Sequence, residues 1–233
     1  MRRLREAVIF DLDGTLIDSE ENYFLADEEL MRRRGVTFSR EDKKRYIGGG
    51  NFEMMVDLKR RYGLDTSAEA LADEKNAIYL DIAFERTQLY PEMKRLWDAV
   101  RARGLPVGVA TGTSPRVLER LLERVGLARE ATVVVSAEEV ARGKPAPDIF
   151  LETARRLRVG PGACVVLEDS RHGVAAAKSA GMACIAVPYL VEKPLASEFA
   201  SADLLFEDGM TTFDAARALN WIEGCPGDAD RAS

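Results

Sequence analysis

Short apolar runs rich in β-branched residues recur along the chain, and three of them lead into a polar loop and then into helical patterning. AVIF at 7–10 runs into DLDG, PVGVA at 106–110 into TGTSP and a helix near 114–125, and ACVVLE at 163–168 into DSRHG and a helix near 173–180. TVVV at 132–135 and ACIAV at 183–187 extend the series, with ADLLF at 202–206 a weaker sixth run. An apolar run this short does not by itself separate strand from helix. The flanking glycine and proline and the β-branched content decide for strand. Strands alternating with helices build parallel crossovers, and a sheet made of crossovers is covered on both faces. The expected fold class is α/β, a doubly wound, Rossmann-like parallel sheet.

The rhythm breaks once. From about Asp18 to Thr87 the pattern is only helical: EENYFLADEELMRRRG, NFEMMVDLKRRYG and SAEALADEKNAIYLDIAFER, with Gly35 and Gly63 as helix stops. A single crossover needs one helix, so a block of this length reads as an all-helical domain inserted after the first strand. The expected division is a core of 1–17 plus 88–224, a helical insertion over 18–87, and a frayed Gly-, Asp- and Pro-rich tail at 225–233.

Composition narrows the partners. With 46% hydrophobic and 31% charged residues the chain is an ordinary globular protein, and its net charge of −6 argues against nucleic acid or an anionic membrane. The basic runs RRLR and RRR (32–34) read as solvated helix faces. No apolar stretch has bilayer length, and the start lacks a signal-peptide pattern. Three cysteines, Cys164, Cys184 and Cys225, form no metal or redox spacing, and the first two sit at the mouths of apolar runs as packing residues. A cytoplasmic monomer is the expectation.

The chemistry gathers where strands end. Ligands of a doubly wound sheet bind beyond the carboxyl ends of its strands, and Asp11-Leu12-Asp13-Gly14-Thr15 emerges there. Two carboxylates at i and i+2 repel unless a cation or shared proton relieves them. A lone DxD is more often an Asx turn, but three further polar stations share this edge. Thr111 follows PVGVA, where its hydroxyl and the N–H groups of Gly112 and Thr113 suit phosphate oxygens. Lys144 is a cation in RGKPAPD, held extended by Pro145. Glu168-Asp169 closes the VVLE run. Each has a structural explanation alone, as a cap or a solvated lysine. Acids from two strands, a hydroxyl and a lysine on one edge are not required by structure.

DLDGTLIDS, VATGTS, GKPAPDIF and VLEDSRHGVAAAKSAG together resemble the four ordered motifs of the haloacid dehalogenase-like superfamily, closest to its β-phosphoglucomutases and sugar-phosphate phosphatases. The likeness runs from about Ala7 to Val187, with the helical block where that subgroup carries its cap. It implies Asp11 as nucleophile forming an aspartyl-phosphate and Asp13 as general acid and base. It implies Mg²⁺ bound by Asp11, the Asp13 carbonyl and Asp169, with Glu168 a direct or water-mediated ligand. Thr111 and Lys144 would position the phosphoryl oxygens. The expected reaction is hydrolysis of a small phosphorylated metabolite, a sugar phosphate for choice, under a closing lid.

Other residues carry weaker signals. Lys75 matches a cap lysine of that subgroup, against an equal reading as a surface helix lysine. A cap histidine and a cap arginine of the mutases fall here at Tyr23 and Asn51, which favours hydrolysis over isomerisation. His172 reads as solvated or supporting, and its being the sole histidine leaves no second candidate for a serine-hydrolase triad. Gly48-Gly49-Gly50 reads as a cap loop. Tyr23, Phe24, Phe52, Met54 and Met55 read as cap core with one or two facing the pocket, and Trp97 as packing. The competing readings are a phosphosugar isomerase, an idle binding protein on the same fold, and a dehalogenase, which would need neither Asp13 nor the magnesium acids.

Overall fold

The computed structural model describes residues 5–46 and 50–224, the Glu20 side chain excepted, so Gly48, Gly49, Cys225 and the tail lie outside the described residues. The six apolar runs are six strands: β1 (Ala7–Phe10), β2 (Val107–Thr111), β3 (Val133–Ser136), β4 (Cys164–Glu168), β5 (Ala183–Ala186) and β6 (Leu204–Leu205). They form one parallel sheet in the order β3-β2-β1-β4-β5-β6. The order reverses beside β1, so β1 and β4 flank the switch point where connections leave on opposite faces and open a crevice. Period-two alternation divides β1 between two cores. Val8 and Phe10 pack with α5 (Pro91–Ala102), α6 (Pro115–Arg124) and α9 (Ala215–Ile222), whereas Ala7 and Ile9 pack with α7 (Asp148–Leu157) and α8 (Arg171–Ser179). β1, β2, β4 and β5 are buried along their whole lengths, as strands covered on both faces must be.

Among the described residues four helices lie between β1 and α5: α1 (Glu20–Arg32), α2 (Arg40–Lys44), α3 (Asn51–Tyr62) and α4 (Ala68–Arg86). α1 and α3 both pack on α4. No strand interrupts them among the described residues. The chain enters and leaves through a paired neck, in which Asp18 N–H donates to Gln88 O (3.0 Å), Tyr90 N–H donates to Leu16 O (3.0 Å) and Ile17 bridges Leu89 antiparallel. Gly63 ends α3 in the left-handed region (φ 61°), where its N–H reaches back to Lys59 O. The short α2 escaped the periodicity because five polar residues form no apolar stripe; a Ser39/Asp42 capping box holds it instead.

Tertiary context moved several boundaries, two of them beside the strand ends that carry the polar residues. β2 runs on to Thr111 because β3 offers Ser136 as its partner. α8 starts at Arg171, two residues early, because the Ser170 hydroxyl accepts from Gly173 N–H and caps it. Cys164 and Cys184 are buried free thiols, and no described helix is long and apolar enough to cross a membrane. Phe24, Met54 and Met55 are buried among the helices, but Phe52 is 45% exposed and belongs to no core.

Trp97 is fully buried, its ring 5.2 Å from that of Phe10 and its indole N–H donated to Glu130 Oε2 at 2.9 Å. Trp97→Ala removes a large core side chain and leaves Glu130 unpaired by it. A loss of about 3–5 kcal/mol is expected in urea unfolding.

Candidate active site

The loop after β1 is tied down at both ends. Asp11 N–H donates to Leu167 O on β4 (3.0 Å), and Leu12 O accepts from Leu16 N–H (2.9 Å) and Ile17 N–H (3.0 Å). Gly14 sits at φ +77°, and a Cβ there would stand 2.4 Å from Asp169 Oδ2, so both backbone and space demand glycine. Because β1 and β4 are neighbours, this turn carries Asp11 and Asp13 to the Glu168-Asp169 pair that ends β4.

Lys144 reaches between the strands from the β3–α7 connection, through a cis peptide to Pro145. Its ammonium lies 2.5 Å from Asp11 Oδ1 and also bonds Glu168 Oε1. The other Glu168 oxygen accepts the N–H (3.1 Å) and hydroxyl (3.0 Å) of Ser170. A Cβ on Gly173 would fall 1.8 Å from the Glu168 carboxyl carbon, so that glycine makes the room for the carboxylate. Burial pushes Asp11 well above the usual carboxylate range; Lys144 opposes this, and the negative charge of Glu168 and Asp13 adds to it. Burial works against the Lys144 charge, but Asp11 and Glu168 outweigh it and hold the ammonium protonated.

One lysine does not neutralise this concentration of acid. Asp11, Glu168 and Asp169 each offer an oxygen within 4.8 Å of the others, a hard-oxygen set suited to a divalent cation. A dication among these three would supply the positive charge that Lys144 alone does not. The donor set therefore fits a hard divalent cation.

Asp13 is held differently. Its Oδ2 accepts from the Thr111 hydroxyl (3.1 Å) and from the Thr113 hydroxyl, while its buried Oδ1 has no partner among the described residues. Thr113 N–H donates to Thr111 Oγ1 (3.1 Å), so the amide expected to face phosphate is turned inward by a local hydroxyl turn. Ser136 donates to Thr113 O (2.7 Å) and fixes the loop.

Asp11, Asp13, Thr111, Gly112, Thr113, Lys144, Asp169 and Ser170 line one cavity of about 610 Å³, whereas Gly14, Ser136, Glu168 and Gly173 stand behind its wall. Its opposite wall comes from the helical block: Tyr23 on α1, Lys43 on α2, Asn51 and Met54 on α3, and Lys75 on α4. Lys75 is not a surface lysine. It is 3% exposed, and its ammonium lies 2.6 Å from Asp27 Oδ1, while Lys43 lies 2.7 Å from Asp27 Oδ2. Asp27 is fully buried between them. Asn51 Oδ1 is buried with no partner among the described residues. His172, on α8, also lines the cavity.

The profile of the haloacid dehalogenase-like hydrolases matches residues 6–181, which hold all of these residues. The chain belongs to that family. Haloacid dehalogenase-like relatives include hexitol phosphatase B of Escherichia coli K12, 34% identical over 184 residues (78% of this chain, 83% of the relative), and β-phosphoglucomutase of Bacillus subtilis, 32% identical over 189 residues (78% and 83%). Among solved structures, CbbY of Rhodobacter sphaeroides in complex with phosphate superposes with a TM-score of 0.79 at 30% identity, covering 89% of this chain and 95% of its own. The protein is thus a haloacid dehalogenase-like hydrolase, and its phosphatase relatives make phosphoric monoester hydrolysis its reaction class.

Sequence reading missed Asp27, Lys43 and Ser136. Asp27 lies in a charged helical stretch, ADEEL, where nothing local marks it as buried. The room beneath Glu168 gives a direct test. Gly173→Ala is expected to displace that carboxylate and lower the urea midpoint by about 1–3 kcal/mol in stability; an unchanged midpoint would mean Glu168 has space to retreat.

Proposed function

We propose that this hydrolase is a Mg²⁺-dependent phosphatase acting on a small phosphorylated metabolite, a sugar phosphate, through an aspartyl-phosphate. The observation that carries this reading is the convergence of Asp11, Asp13, Thr111, Lys144 and Asp169 on one wall of a single cavity, with buried Glu168 bonded to Lys144. Asp11 attacks phosphorus in line; the new O–P bond forms as the ester P–O bond breaks, and its electron pair leaves on the alcohol oxygen. Asp13 gives that oxygen a proton, then takes one from the water that attacks phosphorus and frees Asp11. Oδ1 is the atom for this work, since Oδ2 is occupied by two threonine hydroxyls. Lys144 and the Gly112 amide orient the phosphoryl oxygens, while Thr111 and Thr113, whose hydroxyls are given to Asp13, hold that carboxyl rather than the phosphate. Asp11, Asp169 and the Asp13 carbonyl would hold the cation, with Glu168 direct or through water. That ion supplies the positive charge that lets a carboxylate approach an anionic phosphoryl group.

The helical block, taken as residues 18–87, serves as a lid over the strand edge. Tyr23, Asn51 and Lys75 would face the substrate, and the partnerless Asn51 oxygen suits a sugar hydroxyl. The relatives named for hexitol phosphate and phosphoglucose support a phosphorylated carbohydrate. Buried free cysteines accord with a reducing cytoplasm.

The lid wall favours hydrolysis over isomerisation. A phosphosugar mutase must grip a second phosphate, yet the cations here are already committed. Lys43 and Lys75 share Asp27, and Lys44 lies 3.2 Å from Glu41 and 3.3 Å from Glu192. Asn51 brings no charge.

Phosphate release from a panel of phosphorylated metabolites with Mg²⁺ tests the reading; EDTA should abolish release and Mg²⁺ restore it. Asp11→Asn should fold normally and lose on the order of 10⁴-fold in turnover. Near-normal turnover by that variant would sink the mechanism. Incubation with β-glucose 1-phosphate and a trace of the 1,6-bisphosphate should yield free phosphate; glucose 6-phosphate with little free phosphate would make the enzyme a mutase.

A further inference from the structure

We infer that Tyr23 is a positioning residue for Asp13, acting through Thr113, so that the acid–base carboxyl is held in its working orientation only while the helical lid is seated. This rests on the proton-transfer role given to Asp13 above. The Tyr23 phenol oxygen lies 3.1 Å from Thr113 Oγ1, and the same Thr113 oxygen bonds Asp13 Oδ2. A threonine hydroxyl has one proton to give. Oδ2 already accepts the Thr111 hydroxyl and takes the Thr113 proton as well, so the lone pair left on Thr113 accepts from Tyr23. The chain therefore runs one way, from Tyr23 to Thr113 to Asp13. Its direction is the same whether or not Oδ1 carries a proton, because Oδ2 accepts in both states. A link of this kind suits a group that must act first as acid and then as base.

The lid fixes the phenol from several sides. The ring stacks on Tyr79 of α4, with centroids 4.0 Å apart and planes at 13°. The Lys43 and Lys75 ammoniums stand 5.7 Å and 5.6 Å from the ring centroid. Both are bonded to buried Asp27 on the same helix as Tyr23. Burial, with the neighbouring charge of Asp13, pushes the phenol well above the ordinary tyrosine range, so it stays a donor. Helices α1, α2 and α4 thus set where one hydroxyl sits, and that hydroxyl touches the core at Thr113. With the lid raised, the Thr113 hydroxyl loses the Tyr23 donor and is left held only by its own bond to Asp13, so the clamp on Oδ2 loosens.

The consequence is measurable through the leaving group. An alkoxide needs protonation as it departs, whereas p-nitrophenolate does not. The ratio of kcat/KM for sorbitol 6-phosphate to that for p-nitrophenyl phosphate therefore reports how well Asp13 works as an acid. Tyr23→Phe keeps the stacked ring and removes only the hydroxyl. It is expected to lower the ratio about fivefold, the size of one lost hydroxyl hydrogen bond. Thr113→Val should lower it at least as much, and Tyr23→Phe added to Thr113→Val should lower it no further. Both rates are taken on one preparation, so the ratio is independent of the folded fraction. An unchanged ratio in Tyr23→Phe would overturn the inference, as would the full Tyr23→Phe effect persisting in the Thr113→Val background. A wild-type protein that releases no phosphate from the alkyl ester would overturn the sugar-phosphate reading, and this inference with it.

Discussion

A lysine ammonium buried between two carboxylates is the interaction on which the site depends. Lys144 touches Asp11 and Glu168 at the switch point of the sheet, with Asp13 and Asp169 beside them. Removing ions from water is expensive, and a buried pair repays the cost only with good geometry and further hydrogen bonds. The chain meets that condition locally. Ser170 satisfies the far oxygen of Glu168, and Gly173 leaves the volume it fills. Gly14 turns the first loop tightly enough to pass under Asp169. The excess of negative charge that remains is what makes the pocket a place for a cation and, with it, for an anionic ester.

The two walls of the cavity solve different electrostatic problems. On the core wall, charge is left unbalanced so that ligands complete it. On the lid wall, charge is closed internally, because Asp27 takes both Lys43 and Lys75. A lid so neutralised shapes and seals the pocket without adding a strong anion site. Its contact with the chemistry passes through hydroxyls, the phenol of Tyr23 and the Thr113 side chain, which are polar enough to orient a carboxylate and neutral enough not to compete for phosphate. On the proposed role of Asp13, closure and acid–base readiness would be one event rather than two.

The sheet was legible because its four central strands are short, fully buried and bracketed by turn chemistry, so their composition is forced from both faces. The core residues were legible for a related reason. Asp11, Thr111 and Glu168-Asp169 each stand at or just past the end of such a strand, and parallel topology brings strand ends together without any knowledge of side-chain contacts. Helices α2, α7 and α9 were not marked out, α2 because five polar residues carry no stripe.

The lid resisted reading for a physical reason. Helical periodicity says that a face is apolar, but not which other helix meets it. Lys75 could be a surface lysine or a pocket lysine until α1 delivered Asp27 beside it, and Tyr23 acquired its link to Asp13 only when α1 was laid over the β2–α6 loop. What the sequence by itself determined was the strand segments along the chain, the turns that end them and the acids, hydroxyls and lysine they carry, all of which follow from local patterning. Only the tertiary structure decided which charges cancel, which oxygen of Asp13 stays open and which hydroxyl crosses from lid to core, because these depend on distances between segments far apart in the chain.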